Sequence, residues 1–237
     1  YALARTITSG CWLNCGVTAK DVQFSRELYG PDDAVLAGKS KDMGPVAPSE
    51  VSVPVHMRRD QIAYCDIFWW RSEPFILFIV KPLNLLLARH CPKGEKNAAG
   101  MKEQMEMIRK KIVSRGFLLT KIVVDPDSIL APLKDVVPGL TTVGARSHVA
   151  DAEVEIRVIK ERFRCLEASR NVPVAKRFVK FLVYYAIAMR NCILRNEQTV
   201  IAREAFTGVK FDCKRDMRGR FLDYVQATVI PDDKSGE

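Results

Sequence analysis

The residues with the clearest chemical potential lie in 148–166, where Glu153, Arg157, Lys160 and Arg164 recur at helical spacing. At about 100° per residue they share one narrow arc of a helix, one carboxylate heading a row of cations about a turn apart. The opposite side carries Ala152, Ile156, Ile159, Phe163 and Leu166, an apolar stripe suited to a core. A solvated face of i, i+4 ion pairs accounts for such a row in many helices. The chemical alternative makes Glu153 a metal ligand and the cations behind it a hold on phosphates, and it requires further carboxylates elsewhere.

Two carboxylates meet that requirement. Asp66 stands inside the run Cys65-Asp66-Ile67-Phe68-Trp69-Trp70, where a buried charge is costly unless paired or bound to a cation. Asp125 closes the apolar run 117–124, and ligands of α/β sheets are met at strand ends. The plain alternatives are a strand-edge residue for Asp66 and a turn former before Pro126 for Asp125. An oxygen-only set suits Mg²⁺ or Mn²⁺, two of which can clamp the attacking and leaving oxygens of a phosphodiester exchange. Ser/His/Asp and Cys/His arrangements, a glycine-rich phosphate loop and a dinucleotide fingerprint are all lacking.

The elements that must position these groups follow in order. Residues 1–60 hold a helix at 17–28 and then a Gly-, Pro- and Ser-containing linker through 38–60, so the domain proper begins near Gln61. Runs 62–71, 75–80 and 85–90 read as an antiparallel meander. Residues 97–115 follow helical spacing through Met101, Met105, Ile108 and Ile112 and end at Gly116. Run 117–124 reads as a central parallel strand, 128–137 as a short helix and 140–143 as a fifth strand. A second long helix over 174–195 is apolar almost all round, its main stripe being Phe178, Leu182, Tyr185, Met189 and Ile193. The order predicts an α/β fold with a mixed five-stranded sheet covered on both faces. It divides the chain into a segment and linker at 1–60, a core at 61–196 and a basic extension at 197–237.

Composition narrows the partners. The 237 residues carry 37 Lys and Arg against 28 Asp and Glu, a net charge of +9, and are 48% hydrophobic. Such a chain can build a full core, and its charge favours an anionic partner such as nucleic acid. The longest apolar runs fall far short of a membrane span. Seven scattered cysteines point to a reducing compartment. Cys11 and Cys15 lack the neighbouring histidines of a zinc module, so zinc is not expected. No signal peptide opens the sequence, and Tyr1 at its start reads as the edge of a longer protein.

Several segments together carry a resemblance. The mid-strand Asp66, the strand ending in Asp125 and the helix with Glu153 resemble the ribonuclease-H-like catalytic core of retroelement integrases, with its Asp, Asp, Glu triad. More closely, Asn14-Cys15-Gly16-Val17-Thr18-Ala19-Lys20-Asp21-Val22, Leu28-Tyr29-Gly30-Pro31-Asp32, His148-Val149 and Ile156-Arg157-Val158-Ile159-Lys160-Glu161-Arg162 are similar to the integrase region of copia-type retrotransposon polyproteins. Phe206-Thr207-Gly208, Lys214-Arg215-Asp216 and Asp223-Tyr224-Val225-Gln226-Ala227-Thr228-Val229 extend the likeness along nearly the whole chain. The resemblance implies Asp66, Asp125 and Glu153 as metal ligands for Mg²⁺ or Mn²⁺, and Arg157 and Lys160 facing DNA. It implies trimming of element DNA ends by water, attack of the 3′-hydroxyl on target DNA, a multimer, and an intracellular setting in the nucleus or a cytoplasmic element particle. The chain departs from the family at Pro126, where Gly or Asn usually follows the second acid and where Asp127 competes for the role. It also departs in keeping only Cys11 and Cys15 of the His/Cys module.

Arg164 extends the cationic row of the Glu153 helix. After Arg195 the sequence reads as a short helix and turn at 203–208 and then a basic and aromatic stretch. There Lys214 and Arg215 suit a small β-rich appendage in contact with a nucleic-acid backbone, the alternative being a solvated extension. Three other functions fit the same residues: a catalytically silent nucleic-acid-binding descendant, a ribonuclease H or related nuclease using Glu197 or Glu204 as a fourth acid, and a basic scaffold.

Overall fold

The computed structural model describes residues 2–30, 59–91, 98–125, 130–135, 137–142, 149–169, 174–195, 198–217, 219 and 221. Its centre is a five-stranded mixed sheet. Strand β2 (Asp60–Trp70) pairs antiparallel with β3 (Glu73–Lys81), which pairs antiparallel with β4 (Leu85–His90). On its other edge β2 pairs parallel with β5 (Leu118–Val124), which pairs parallel with β6 (Leu140–Thr142). The spatial order β4-β3-β2-β5-β6, an antiparallel meander continued by parallel strands, is the ribonuclease-H-like arrangement expected above. A short strand β1 (Trp12–Leu13) precedes the sheet in the chain.

The sheet separates two cores by the two-residue period of its strands. In β3, Ile76, Phe78 and Val80 enter one core, while Phe75, Leu77 and Ile79 enter the other. A continuous apolar run is what a strand buried on both faces demands. The β2–β3 turn is Arg71-Ser72, both with positive φ (50° and 63°), the left-handed backbone that a two-residue hairpin loop needs.

Helix α3 (Ala98–Val113) covers the first face, and the stripe read from sequence is the buried one: Met101, Met105, Ile108 and Ile112. Its exit passes through Gly116 at φ 81°, a conformation that favours glycine. The segment read as a short helix at 128–137 contains a 3₁₀ turn, Ala131–Asp135.

The other face is covered by α4 (Val149–Ala168) and α5 (Val179–Asn191). Ala152, Ile159 and Phe163 of α4 are buried there, with Ile156 and Leu166 partly so. Phe163 stacks within 6.1 Å of Phe68 and 5.1 Å of Trp70, which seats the helix on β2. Helix α5 corrects the stripe expected from sequence. A 3₁₀ turn at Lys176–Phe178 precedes it, and its buried residues are Val179, Leu182, Val183, Ala186, Ile187 and Asn191. Only Leu182 belongs to both sets. In a helix apolar nearly all round, packing rather than periodicity selects the inner face. Asn191 accepts from the Leu86 amide at 2.9 Å and donates to its carbonyl at 2.8 Å, so a side chain closes part of the β4 edge.

Segments near the two ends of the described residues build a smaller unit. Helix α1 (Ala2–Thr8) leads to β1, which pairs parallel with β7 (Phe211–Asp212). Cys11, Cys192, Leu194, Ile201 and Phe211 form its core. Trp12 donates through Nε1 to the Cys192 carbonyl at 2.7 Å, and the buried Thr6 hydroxyl accepts from Leu194 N–H at 3.0 Å. Helix α2 (Ala19–Tyr29), with a Thr18–Asp21 capping box, has no buried residue. Helices α6 (Ala202–Thr207) and α7 (Cys213–Asp216) complete the unit, and Gly208 ends α6 in the left-handed region. Thus residues read as an N-terminal segment and as a C-terminal extension pack on each other and on the end of α5. Among the described residues, no helix is long and apolar enough to cross a membrane.

Candidate functional site

Strand parity determines where Asp66 points. Ala63 and Cys65 lie in the core under α3, whereas Phe68, with Tyr64 and Trp70 partly buried, lies on the α4 face. Asp66 shares the parity of Tyr64 and Phe68, so its side chain emerges on the α4 face. The parallel register runs Tyr64↔Val123 and Cys65↔Val124, where β5 ends. Asp125 therefore follows directly beside Asp66 on the neighbouring strand. Glu153, exposed in the first turns of α4, completes the approach from above the sheet.

Electrostatics record this convergence. The Asp66 carboxyl is raised above its ordinary range, first by burial and further by the negative charges of Asp125 and Glu153. The Ile67 backbone N–H, donating to Asp66 Oδ1 at 2.7 Å, and the Lys160 ammonium both act in the opposite direction. Asp66 thus feels the carboxylates of Asp125, just past β5, and Glu153, on α4, together with the Lys160 ammonium of the same helix.

The other cations differ in setting. Arg157 is exposed on the same arc of α4, and Arg164 is half-buried further along it. Lys214 and Arg215 lie in α7 of the terminal unit, where Asp212 caps the helix by accepting from both backbone amides. Arg215 is already engaged: its guanidinium donates to Asp216 at 2.9 and 3.0 Å and to the Lys210 carbonyl at 3.0 Å. With Arg203 at 2.8 Å on its other side, Asp216 is held far below the usual carboxylate range. The Lys214 side chain is exposed. Pro126, Asp127, His148 and Glu197 lie outside the described residues.

Among the described residues, no group of three or more His, Cys, Asp or Glu, the trio Asp66, Asp125 and Glu153 included, is placed so that it could hold a metal ion. The donor chemistry still fits a hard dication. All three groups are carboxylates, the oxygen donors a hard dication takes, and Asp125 and Glu153 add to the burial that chiefly raises the Asp66 carboxyl.

Sequence reasoning missed Glu155, Arg162, Arg190 and Arg195, which meet beneath α4. Their signal was present in part: Glu155 and Arg162 are seven residues apart on the inner side of a helix otherwise apolar there. Arg190 and Arg195, 35 and 40 residues beyond Glu155 in sequence, gave no local sign of joining it.

No family model matches the sequence, and no curated protein matches it. Among solved structures, the chain is similar to the crystal structure of the catalytic core domain of BIV integrase. The sequences are 13% identical, the match covers 62% of this chain and 93% of that one, and the TM-score is 0.44.

Proposed function

We propose that this chain is the integrase core of a copia-like retroelement, acting on DNA ends and joining them to target DNA. The observation that supports this reading best is the convergence of Asp66, Asp125 and Glu153 from β2, β5 and α4, felt at the Asp66 carboxyl. In this reading they hold Mg²⁺ or Mn²⁺, which when bound would activate the attacking oxygen and stabilise charge on the leaving one. The chain's own contribution is placement. The middle of β2 fixes Asp66 and the end of the neighbouring β5 fixes Asp125, and the Phe163 anchor seats the helix that carries Glu153. Lys160, already facing Asp66, balances charge at the reacting phosphate, and Arg157 and Arg164 continue the cationic row along the DNA backbone. Lys214 and Arg215 give a second backbone contact from the terminal unit. Water serves as nucleophile in end trimming and the 3′-hydroxyl in joining, so no protein nucleophile is needed. DNA is the partner, the active form is a homo-oligomer holding two ends, and the setting is the nucleus or a cytoplasmic element particle.

The test is joining of a labelled duplex with element-terminal sequence to a plasmid, in Mg²⁺, in Mn²⁺ and in EDTA, for the wild type and Glu153→Gln. Metal-dependent products that fall by about a hundredfold or more in the variant are expected, beyond what loss of an outer-sphere partner costs. Salt-sensitive DNA binding without joining by either protein would replace the enzyme with a nucleic-acid-binding descendant. Preferential cutting of an RNA–DNA hybrid would replace it with a ribonuclease H.

A further inference from the structure

Two partly exposed cysteines from distant parts of the sequence meet in the terminal unit. Cys15 lies just past β1, and Cys213, directly after β7, opens α7. The two strands pair in parallel with Leu13 against Asp212, so the residues that follow leave the ladder side by side. Paired strands lie about 4.8 Å apart, inside the range that the α-carbons of a disulfide span. A side-chain bond holds the two exits together: Asn14 donates through Nδ2 to Asp212 Oδ2 at 2.8 Å, across 198 residues of sequence. Asn14 has a φ of 51°, the left-handed turn that brings the chain from β1 to Cys15.

The two sulfurs act on each other. The Cys213 thiol is pushed up to about 11, first by burial, then by Cys15 as hydrogen-bond partner and as charge, and further by Asp212 and Asp216. Cys213 packs against the terminal core, whereas Cys15 sits toward solvent and donates to the Val17 carbonyl at 3.3 Å. Accessibility separates this pair from the cysteines of the interior. Cys91 acts on Cys65 as well, but both are buried in the core under α3. Cys11 and Cys192 are buried in the terminal core, and each donates to a backbone carbonyl, Thr199 at 3.5 Å and Ala188 at 3.2 Å.

We propose that Cys15 and Cys213 form a redox site, in which a peroxide converts the two thiols into one intramolecular disulfide and a dithiol reductant reopens it. Cys15, the sulfur nearer solvent, attacks first as its thiolate. An S–O bond forms as the O–O bond breaks, and the departing hydroxide takes a proton and leaves as water. Cys15 is then a neutral sulfenic acid, which no longer holds the Cys213 proton by its charge. Cys213 gives up that proton and attacks the Cys15 sulfur; the S–S bond forms, the S–O bond breaks, and the hydroxide leaves with the proton as a second water. Two thiols and one hydrogen peroxide thus yield one disulfide and two waters, two electrons passing from sulfur to oxygen. In a reducing compartment such a bond is transient and serves sensing rather than permanent structure. It ties the exit of β1 to α7, so oxidation fastens the two sequence-distant segments that build the terminal unit. The reaction draws on none of the chemistry of Asp66, Asp125 and Glu153.

The experiment treats the reduced full chain with hydrogen peroxide, blocks the remaining thiols with N-ethylmaleimide and maps the unreduced proteolytic peptides by mass spectrometry. The expected result is the loss of two of the seven alkylatable thiols and a peptide linking Cys15 to Cys213, both reversed by dithiothreitol. Cys15→Ser and Cys213→Ser should each lose the linked peptide, whereas Cys11→Ser and Cys192→Ser should keep it. Cys213→Ser should stop at the sulfenic acid of Cys15, captured as its dimedone adduct. In the wild type, both sulfurs staying alkylatable, Cys15 oxidised without a link to Cys213, or a link between other cysteines or between chains overturns the proposal. The wild-type map decides the matter even where a variant fails to fold.

Discussion

The two sides of α4 carry the same residue types in opposite circumstances. On one side Glu153 and Arg157 are exposed, and Lys160 and Arg164 are half-buried. On the other, Glu155, Arg162 and Arg190 are also half-buried, but Glu155 bonds Arg190 and the buried Arg195, and several of their polar atoms are sealed from solvent. Charge on the first side can vary at little cost to folding, which frees it for interaction with a ligand. Charge on the second side is coupled to the packing of α4 on α5, because removing one member strands the others. A helix therefore keeps a chemically free face only if something else holds it in place. Here that is Phe163 among Phe68 and Trp70, together with the buried cluster and the Arg71–Glu167 ion pair at 3.1 Å.

The sharpest way to break this comparison is to remove the common anchor. Phe163→Ala should cost about 3–5 kcal/mol in urea unfolding and impair both sides together. Glu155→Ala should cost about 3 kcal/mol, since three inward guanidinium groups lose their shared carboxylate. Glu153→Ala, two residues away, should stay within about 0.5 kcal/mol in the same assay while DNA joining is lost. Equal costs for the two glutamates would erase the distinction between the sides.

A pH series probes the Asp66 cluster. Because its carboxyl is raised in the folded chain, the folded state binds more protons than the unfolded one between the ordinary Asp range and the raised value. Stability from this group is therefore present at acid pH and lost as pH rises through that window. In EDTA at neutral pH, Asp66→Asn should unfold at a higher temperature than the wild type, and the gap should close in acid. Addition of Mg²⁺ should raise the wild type's unfolding temperature and not that of Asp66→Asn. A small effect is also expected at the rim: Arg71→Ala removes an ion pair with a half-exposed guanidinium and should cost no more than about 1 kcal/mol.

Local pattern in the sequence determined much of this protein. The alternation around Asp66, the apolar run of β3, the stripe Met101, Met105, Ile108, Ile112 and the two arcs of α4 are each readable within a dozen or so residues, because secondary structure and its inner face follow from short-range periodicity. The order of those elements also carried the five-stranded mixed sheet. Tertiary structure alone decided which face of α5 turned inward, since a helix apolar all round contains no preference to read. It alone brought β1 beside β7, and Arg190 and Arg195 beneath Glu155. The same holds for the register Cys65↔Val124 that sets Asp125 next to Asp66. Those pairings join segments far apart in the chain, and their free energy arises only when both partners leave water together, so neither segment announces the other.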